Sequence, residues 1–160
     1  MRGMENVDLD ELKIFLMKAN MPHATGTAKT NREIDGSRTI EYSEGDYRMH
    51  DNFFGGEPYG GRLVIFYKEQ PVFLEVYYGR AYNTADEVYD FLREALQHPN
   101  NDNPYRGPLE YSNGRFTYKS SVEGDVASHT VTEYIYDNDT EIYSATIIGG
   151  LVDRNAREAM

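Results

Sequence analysis

The apolar positions of this chain fall first into a helical period. Leu9, Leu12, Phe15, Leu16 and Ala19 recur at helical spacing, and Asp8 with Glu11 three residues later has the capping-box pattern that satisfies free amides at a helix start. A helix is predicted from about Asp8 to Asn20. The signature returns at Thr84 to Gln97. There Val88, Phe91, Leu92, Ala95 and Leu96 make one apolar stripe, Thr84 and Glu87 repeat the cap, and Pro99 ends the run.

Elsewhere the period is two. Thr39 to Ser43 and Gly45 to Asp51 alternate, with Ile40, Tyr42, Tyr47 and Met49 as inward residues and Glu44-Gly45 as a turn or bulge. Arg62 to Glu69 and Val72 to Tyr78 predict a hairpin across Gln70-Pro71. Arg115 to Val122, Ser128 to Tyr136 and Thr140 to Ile148 predict three further strands, the last pair turning at Asp137 to Asp139. Met21 to Thr39 and His98 to Asn113 show neither period and are read as loops.

These elements predict an α+β fold in which two helices pack on a mainly antiparallel β-sheet, in a single domain spanning 1–160 with flexible ends at 1–6 and 153–160. The halves also lie over each other as a pseudo-repeat, 8–79 and 84–150. Asp10/Asp86, Glu11/Glu87, Phe15/Phe91, Leu16/Leu92 and Ala19/Ala95 coincide. Glu41-Tyr42-Ser43 falls on Glu110-Tyr111-Ser112, then Gly45 on Gly114, Tyr47 on Phe116, Gly55 on Gly124, Tyr67 on Tyr136 and Gly79 on Gly149. Duplication is one account and shared periodicity the other. If duplicated, the halves pack about a pseudo-twofold axis, with a cleft between them as the natural ligand site.

Composition narrows the function. Asp plus Glu is 27 against 16 Lys plus Arg, a net charge of −11, so a direct contact with a nucleic-acid backbone is not expected. There is no cysteine, which removes disulfides, thiolate metal sites and a cysteine nucleophile. The N-terminal residues do not read as a secretory signal and no membrane segment is predicted, so a cytoplasmic location is the expectation.

Candidate chemistry is sparse. The stretch Phe53 to Gly61 is glycine-rich, but no Lys-Ser or Lys-Thr follows it and the next element is a strand, so a phosphate cradle is disfavoured. Glu57, Tyr59 and Arg62 in that stretch combine a carboxylate, a phenol and a guanidinium that can fix a polar ligand, and an exposed salt bridge explains them equally well. Pro104 to Pro108 presents Tyr105 and Arg106 between two prolines, as a ligand clamp or a structural one. His23, His50, His98 and His129 show no metal-ligand spacing, and no GxSxG elbow surrounds a serine. No metal and no cofactor is expected. Carboxylates such as Asp51, Glu57, Glu75 and Glu123 are numerous enough to supply an acid/base pair, but sequence gives no distances between them.

Phe53-Phe54-Gly55-Gly56-Glu57, Tyr77-Tyr78-Gly79, Pro104-Tyr105-Arg106-Gly107-Pro108 and Glu123-Gly124-Asp125 together resemble one family, the domain of unknown function five-six-eight-zero. The resemblance runs from the first helix to Gly149-Gly150. It implies a domain that in some bacteria follows an XRE-type helix-turn-helix, hence an effector-sensing module, and it carries over no catalytic residue. This chain opens directly on the domain, so any DNA contact is expected to come from another protein.

The leading expectation is therefore a non-enzymatic module that binds or senses a small polar or aromatic molecule near Glu57, Tyr59, Arg62, Tyr105 and Arg106. The second is a small hydrolase or isomerase using a carboxylate such as Glu57 with Tyr59 or His50. The third is a protein-interaction or dimerisation module with a flat apolar patch and no cavity. A monomer or a homodimer fits all three.

Overall fold

The computed structural model describes residues 7–82 and 85–153. Thr84 of the second capping box and the end segments 1–6 and 154–160 lie outside the described residues. The elements run α1 (Leu9–Thr25), β1 (Asn31–Arg32), β2 (Arg38–Glu44), β3 (Tyr47–Gly55), β4 (Tyr59–Tyr67), β5 (Gln70–Ala81), α2 (Ala85–Leu96), β6 (Glu110–Asn113), β7 (Phe116–Asp125), β8 (Ser128–Asp137) and β9 (Thr140–Leu151).

Asp8 caps α1, its Oδ1 accepting from the amides of Asp10 at 2.9 Å and Glu11 at 3.1 Å. The helix runs past the expected end at Asn20, through Pro22, to Thr25. Its last turn holds because Ala24 is buried, and it stops where Gly26 adopts φ 74° and its amide turns back to the His23 carbonyl. The predicted loop from Met21 to Thr39 thus contains a helical turn and the short strand β1. The second predicted loop, His98 to Asn113, ends in β6, which is four residues long.

All strands pair antiparallel in one nine-stranded sheet of order β1-β2-β3-β4-β5-β9-β8-β7-β6. The two helical series meet at the central β5/β9 pair, where Tyr77 lies opposite Ile147 and Gly79 opposite Ala145. The series do not superpose as the sequence overlay has them in every strand. Tyr67 pairs with Tyr47, whereas Phe116 pairs with Asp137, so Tyr67 corresponds to Asp137 and not to Tyr136. The cause is the connection between the paired strands: three residues, Gly56 to Pro58, separate the paired Gly55 and Tyr59, whereas four, Asp125 to Ser128, separate the equivalent pair Gly124 and His129.

Alternation sends one set of side chains toward the helices. Under α1, Leu12, Phe15 and Leu16 pack with Ile40, Met49, Ile65 and Phe73; under α2, Val88, Phe91 and Leu92 pack with Tyr118, Ile135 and Tyr143. The opposite face of the sheet carries Arg62 and the exposed Val76, Tyr78 and Ile148. Among the described residues no helix is long and apolar enough to cross a membrane.

Candidate functional site

Because each helix packs over its own strands, a space remains between the two helices and the middle of the sheet. It forms a cavity of about 800 Å³. Its apolar wall comes from Ala19 of α1, Ile40, Met49 and Leu63 of the sheet, Leu92 and Leu96 of α2, and Ile147 of β9. Its polar groups come from strand positions where alternation points a charged residue inward: Asp51 between Met49 and Phe53, and Glu75 between Phe73 and Tyr77.

The loop from α2 to β6 closes one side. Ser120 anchors it, its hydroxyl donating to the Pro108 carbonyl at 2.6 Å and its amide to the Leu109 carbonyl at 3.0 Å. Gly107 lets the loop lie flat on Tyr118, since a Cβ there would stand 2.6 Å from the Tyr118 hydroxyl. Arg106 is thereby inserted toward β8. Its Nε donates to both oxygens of Glu133 at 3.1 Å, and its Nη2 reaches Oε1 at 3.1 Å.

Glu133 is fully buried and also accepts from the hydroxyls of Tyr118 at 2.5 Å and Tyr143 at 2.9 Å. Since the one Tyr143 proton goes to Glu133, the close Tyr59–Tyr143 contact is donated by Tyr59, whose oxygen accepts from Arg106 Nη2 at 3.3 Å. The result is a closed network in which one guanidinium neutralises one carboxylate and three phenols are satisfied. Tyr59 reaches it because Gly79 stands opposite, where a Cβ would lie 2.5 Å from its hydroxyl.

The remaining polar groups are less completely matched. The Tyr77 hydroxyl donates to Asp51 Oδ1. Burial nevertheless pushes the Asp51 carboxyl up to about 6, against the opposing pull of that hydrogen bond and of the Arg106 charge. Glu75 is 3% exposed, its Oε1 makes no hydrogen bond among the described residues, and its Oε2 stands 4.0 Å from His129 Nε2, too far to count as one. Burial raises its carboxyl above the ordinary range. Tyr105 is 2% exposed, stacks on His129 with centroids 4.1 Å apart, and its hydroxyl also has no partner among the described residues.

Of the residues expected from sequence, Glu57, Tyr59, Tyr105 and Arg106 line this cavity. Glu57 stands exposed at its mouth, accepting from the Tyr89 hydroxyl and from the Ala81 amide at 3.0 Å. Arg62 does not join them. It precedes the inward, buried Leu63 by one position on β4 and so faces the far side of the sheet. His50 is on that far side too, between the inward Met49 and Asp51. The glycine-rich stretch is a strand end, a turn with a cis Glu57-Pro58 bond and a strand start, with Gly60 and Gly61 inside β4. Sequence reasoning passed over Glu133 and gave His129 no role. The alternation of Val131, Glu133 and Ile135 on β8 marks Glu133 as inward once the strand is recognised. Among the described residues no group of three or more histidines and carboxylates is placed to hold a metal ion.

One family matches the chain, described as Domain of unknown function (DUF5680), over residues 51–152. Neither the comparison with curated proteins nor that with solved structures gives a match.

Proposed function

The chain belongs to the DUF5680 family, and on that premise we propose that it is a non-enzymatic module that binds or senses a small molecule in the cavity between the helices and the sheet. One observation carries this reading. The cavity has the volume of typical small-molecule sites, of order 300–1,000 Å³, and its lining includes two polar side chains at least nine-tenths buried, Glu75 and Tyr105, each with an atom that no group among the described residues satisfies. Leaving such groups unpaired costs about 1–3 kcal/mol each, which a bound molecule recovers.

The cavity lies where two equivalent halves would meet, and we read the chain as a duplicated unit of one helix and four strands. Tyr77 and Ile147, paired across the central strands, stand seventy positions apart, as do Gly79 and Gly149. Val72 and Ile142, skipped in the pairing of their hairpins, have the same separation.

Native mass spectrometry of the purified chain tests the binding reading. The expected result is an added mass that denaturation removes and that a cavity-filling Ala19→Phe variant lacks. A chain that carries nothing and takes up no compound from a broad screen contradicts it.

Asp51 favours a second reading, a small acid/base enzyme of the isomerase or hydrolase type. A carboxyl titrating at about 6 in an apolar cavity, bonded to Tyr77, is tuned for proton transfer near neutrality. Turnover of a screened compound that Asp51→Asn abolishes while binding persists would favour it.

A further inference from the structure

The charges around the cavity do not balance, and the imbalance has a sign. Arg106 is the one cation in the network at the closed end, and Glu133 already engages it through three contacts. At the mouth, Arg93 pairs with Asp90 at 2.5 Å, and Arg38 is exposed to solvent. Asp51, Glu57 and Glu75 are left without an equivalent buried cation, and Glu75 is the deepest of them. Its nearest basic group, His129, stands at 4.0 Å and spends its Nδ1 on the Asp125 carbonyl at 2.9 Å.

We propose that the cavity takes a lipophilic cation, a protonated or quaternary amine on an aromatic frame, with Glu75 as its counter-ion. The proposal rests on the small-molecule reading above and names the class of molecule. Glu75 lines the cavity and among the described residues nothing hydrogen-bonds its Oε1, so an ammonium group meets an acceptor that gives up no protein partner on binding it. Tyr59, Tyr77, Tyr89 and Tyr105 line the same cavity, and ring faces attract a desolvated cation where they only tolerate a neutral frame. A carboxylate or phosphate held at the closed end would have to take Arg106 from Glu133 and leave a buried acid unpaired, since Arg38 and Arg93 stand at the mouth. The net charge of −11 further favours approach of a cation over an anion.

Cation binding also couples to protons. Burial holds Glu75 toward its neutral form, and the groups facing it are Asp51 of β3, Tyr105 and Arg106 of the loop and His129 of β8, with His23 of α1 on the cavity wall. An ammonium group at Oε1 favours the ionised carboxyl, so its binding releases a proton and tightens as pH rises toward neutrality.

The test titrates the full chain by calorimetry near neutral pH with three probes that share one ring system: 1-naphthylmethylamine, 1-naphthylmethanol and 1-naphthoate. The amine should bind about tenfold more tightly than the alcohol, as one charge-assisted contact provides, and the acid most weakly. In Glu75→Gln the amine should lose that advantage while the alcohol keeps its affinity. An alcohol or acid that binds as well as the amine overturns the cation assignment and leaves the binding site standing. An amine preference that survives Glu75→Gln overturns the role of Glu75. Failure of all three probes to bind overturns the aromatic-cation assignment, and native mass spectrometry with the broad screen then decides the small-molecule reading separately. The ranking on the wild-type chain decides the first point even if the variant does not fold.

Discussion

Replacing Arg106 by Met tests the argument that its charge belongs to Glu133 and not to a ligand. Five donor contacts converge on the Glu133 carboxylate, three from Arg106 and one each from Tyr118 and Tyr143. The variant removes the three and leaves a fully buried carboxylate with two phenols. The side chain of Arg106 is 23% exposed and that of Glu133 is not exposed at all, so the pair is screened little by solvent. Loss of one partner from a buried pair costs about 3–5 kcal/mol.

Glu133→Gln should cost less, about 1.5–3 kcal/mol, because Gln still accepts from one tyrosine and the guanidinium keeps Tyr59 and partial solvent. The double variant leaves no unpaired charge. It should be more stable than the sum of the two losses by about 1–3 kcal/mol. Urea unfolding of the four proteins measures this, and a loss of 3–5 kcal/mol moves the midpoint by more than about 1 M at ordinary slopes. A loss below about 1 kcal/mol for Arg106→Met, or additivity of the two substitutions, would refute the reasoning and free Arg106 to bind an anion.

Asp51 makes stability fall as pH rises: its carboxyl is raised from 3.8 to about 6 on folding, so the stability present below the unfolded value is lost as pH climbs through the folded one. That shift corresponds to about 3 kcal/mol, so Asp51→Asn should gain up to that much over wild type at pH 7 and almost nothing at pH 3, as urea midpoints at the two pH values will tell. Gly79→Ala should cost about 1–3 kcal/mol in thermal unfolding, because its Cβ would stand 2.5 Å from the Tyr59 hydroxyl, whereas Gly56→Ala, with no atom within 4 Å, should change little. Tyr105→Phe removes a buried hydroxyl with no partner and should leave stability unchanged or slightly raised. A loss above about 1 kcal/mol would mean that the hydroxyl is bonded.

Both helices and most strands were legible because their periods are long and unbroken. Val88, Phe91, Leu92 and Ala95 fall on one face and nothing else satisfies them. The end of α1 was not, since Pro22 reads as a breaker while the buried Ala24 that holds the last turn is visible only in the packing. Strand β6 is short and follows a proline-rich loop, so alternation has too few residues to declare itself. The site was legible in part. Tyr105 and Arg106 stood out by their prolines, and Glu57 and Tyr59 by their turn. The residues that complete the cavity are inward carboxylates on strands, and a charged residue in a strand reads by default as a solvated one. The Arg106–Glu133 pair spans 27 positions and two elements, a distance that no local pattern carries. Arg62 was grouped with the site, and Asp51 and Glu75 were named as carboxylates without a place in it, for one reason: the face of a strand is fixed only by its register.

On the proposed function, ligands enter the space between the helices and the sheet. The most direct measurement is an amide chemical-shift titration of the full chain with 1-naphthylmethylamine. Saturable shifts should gather on Asp51, Tyr59, Glu75, Tyr77, Tyr105 and Ile147, around the cavity, with the outer-face residues Arg62, Val76 and Ile148 moving least. Shifts confined to that outer face, or no shifts up to the solubility limit of the probe, would contradict it.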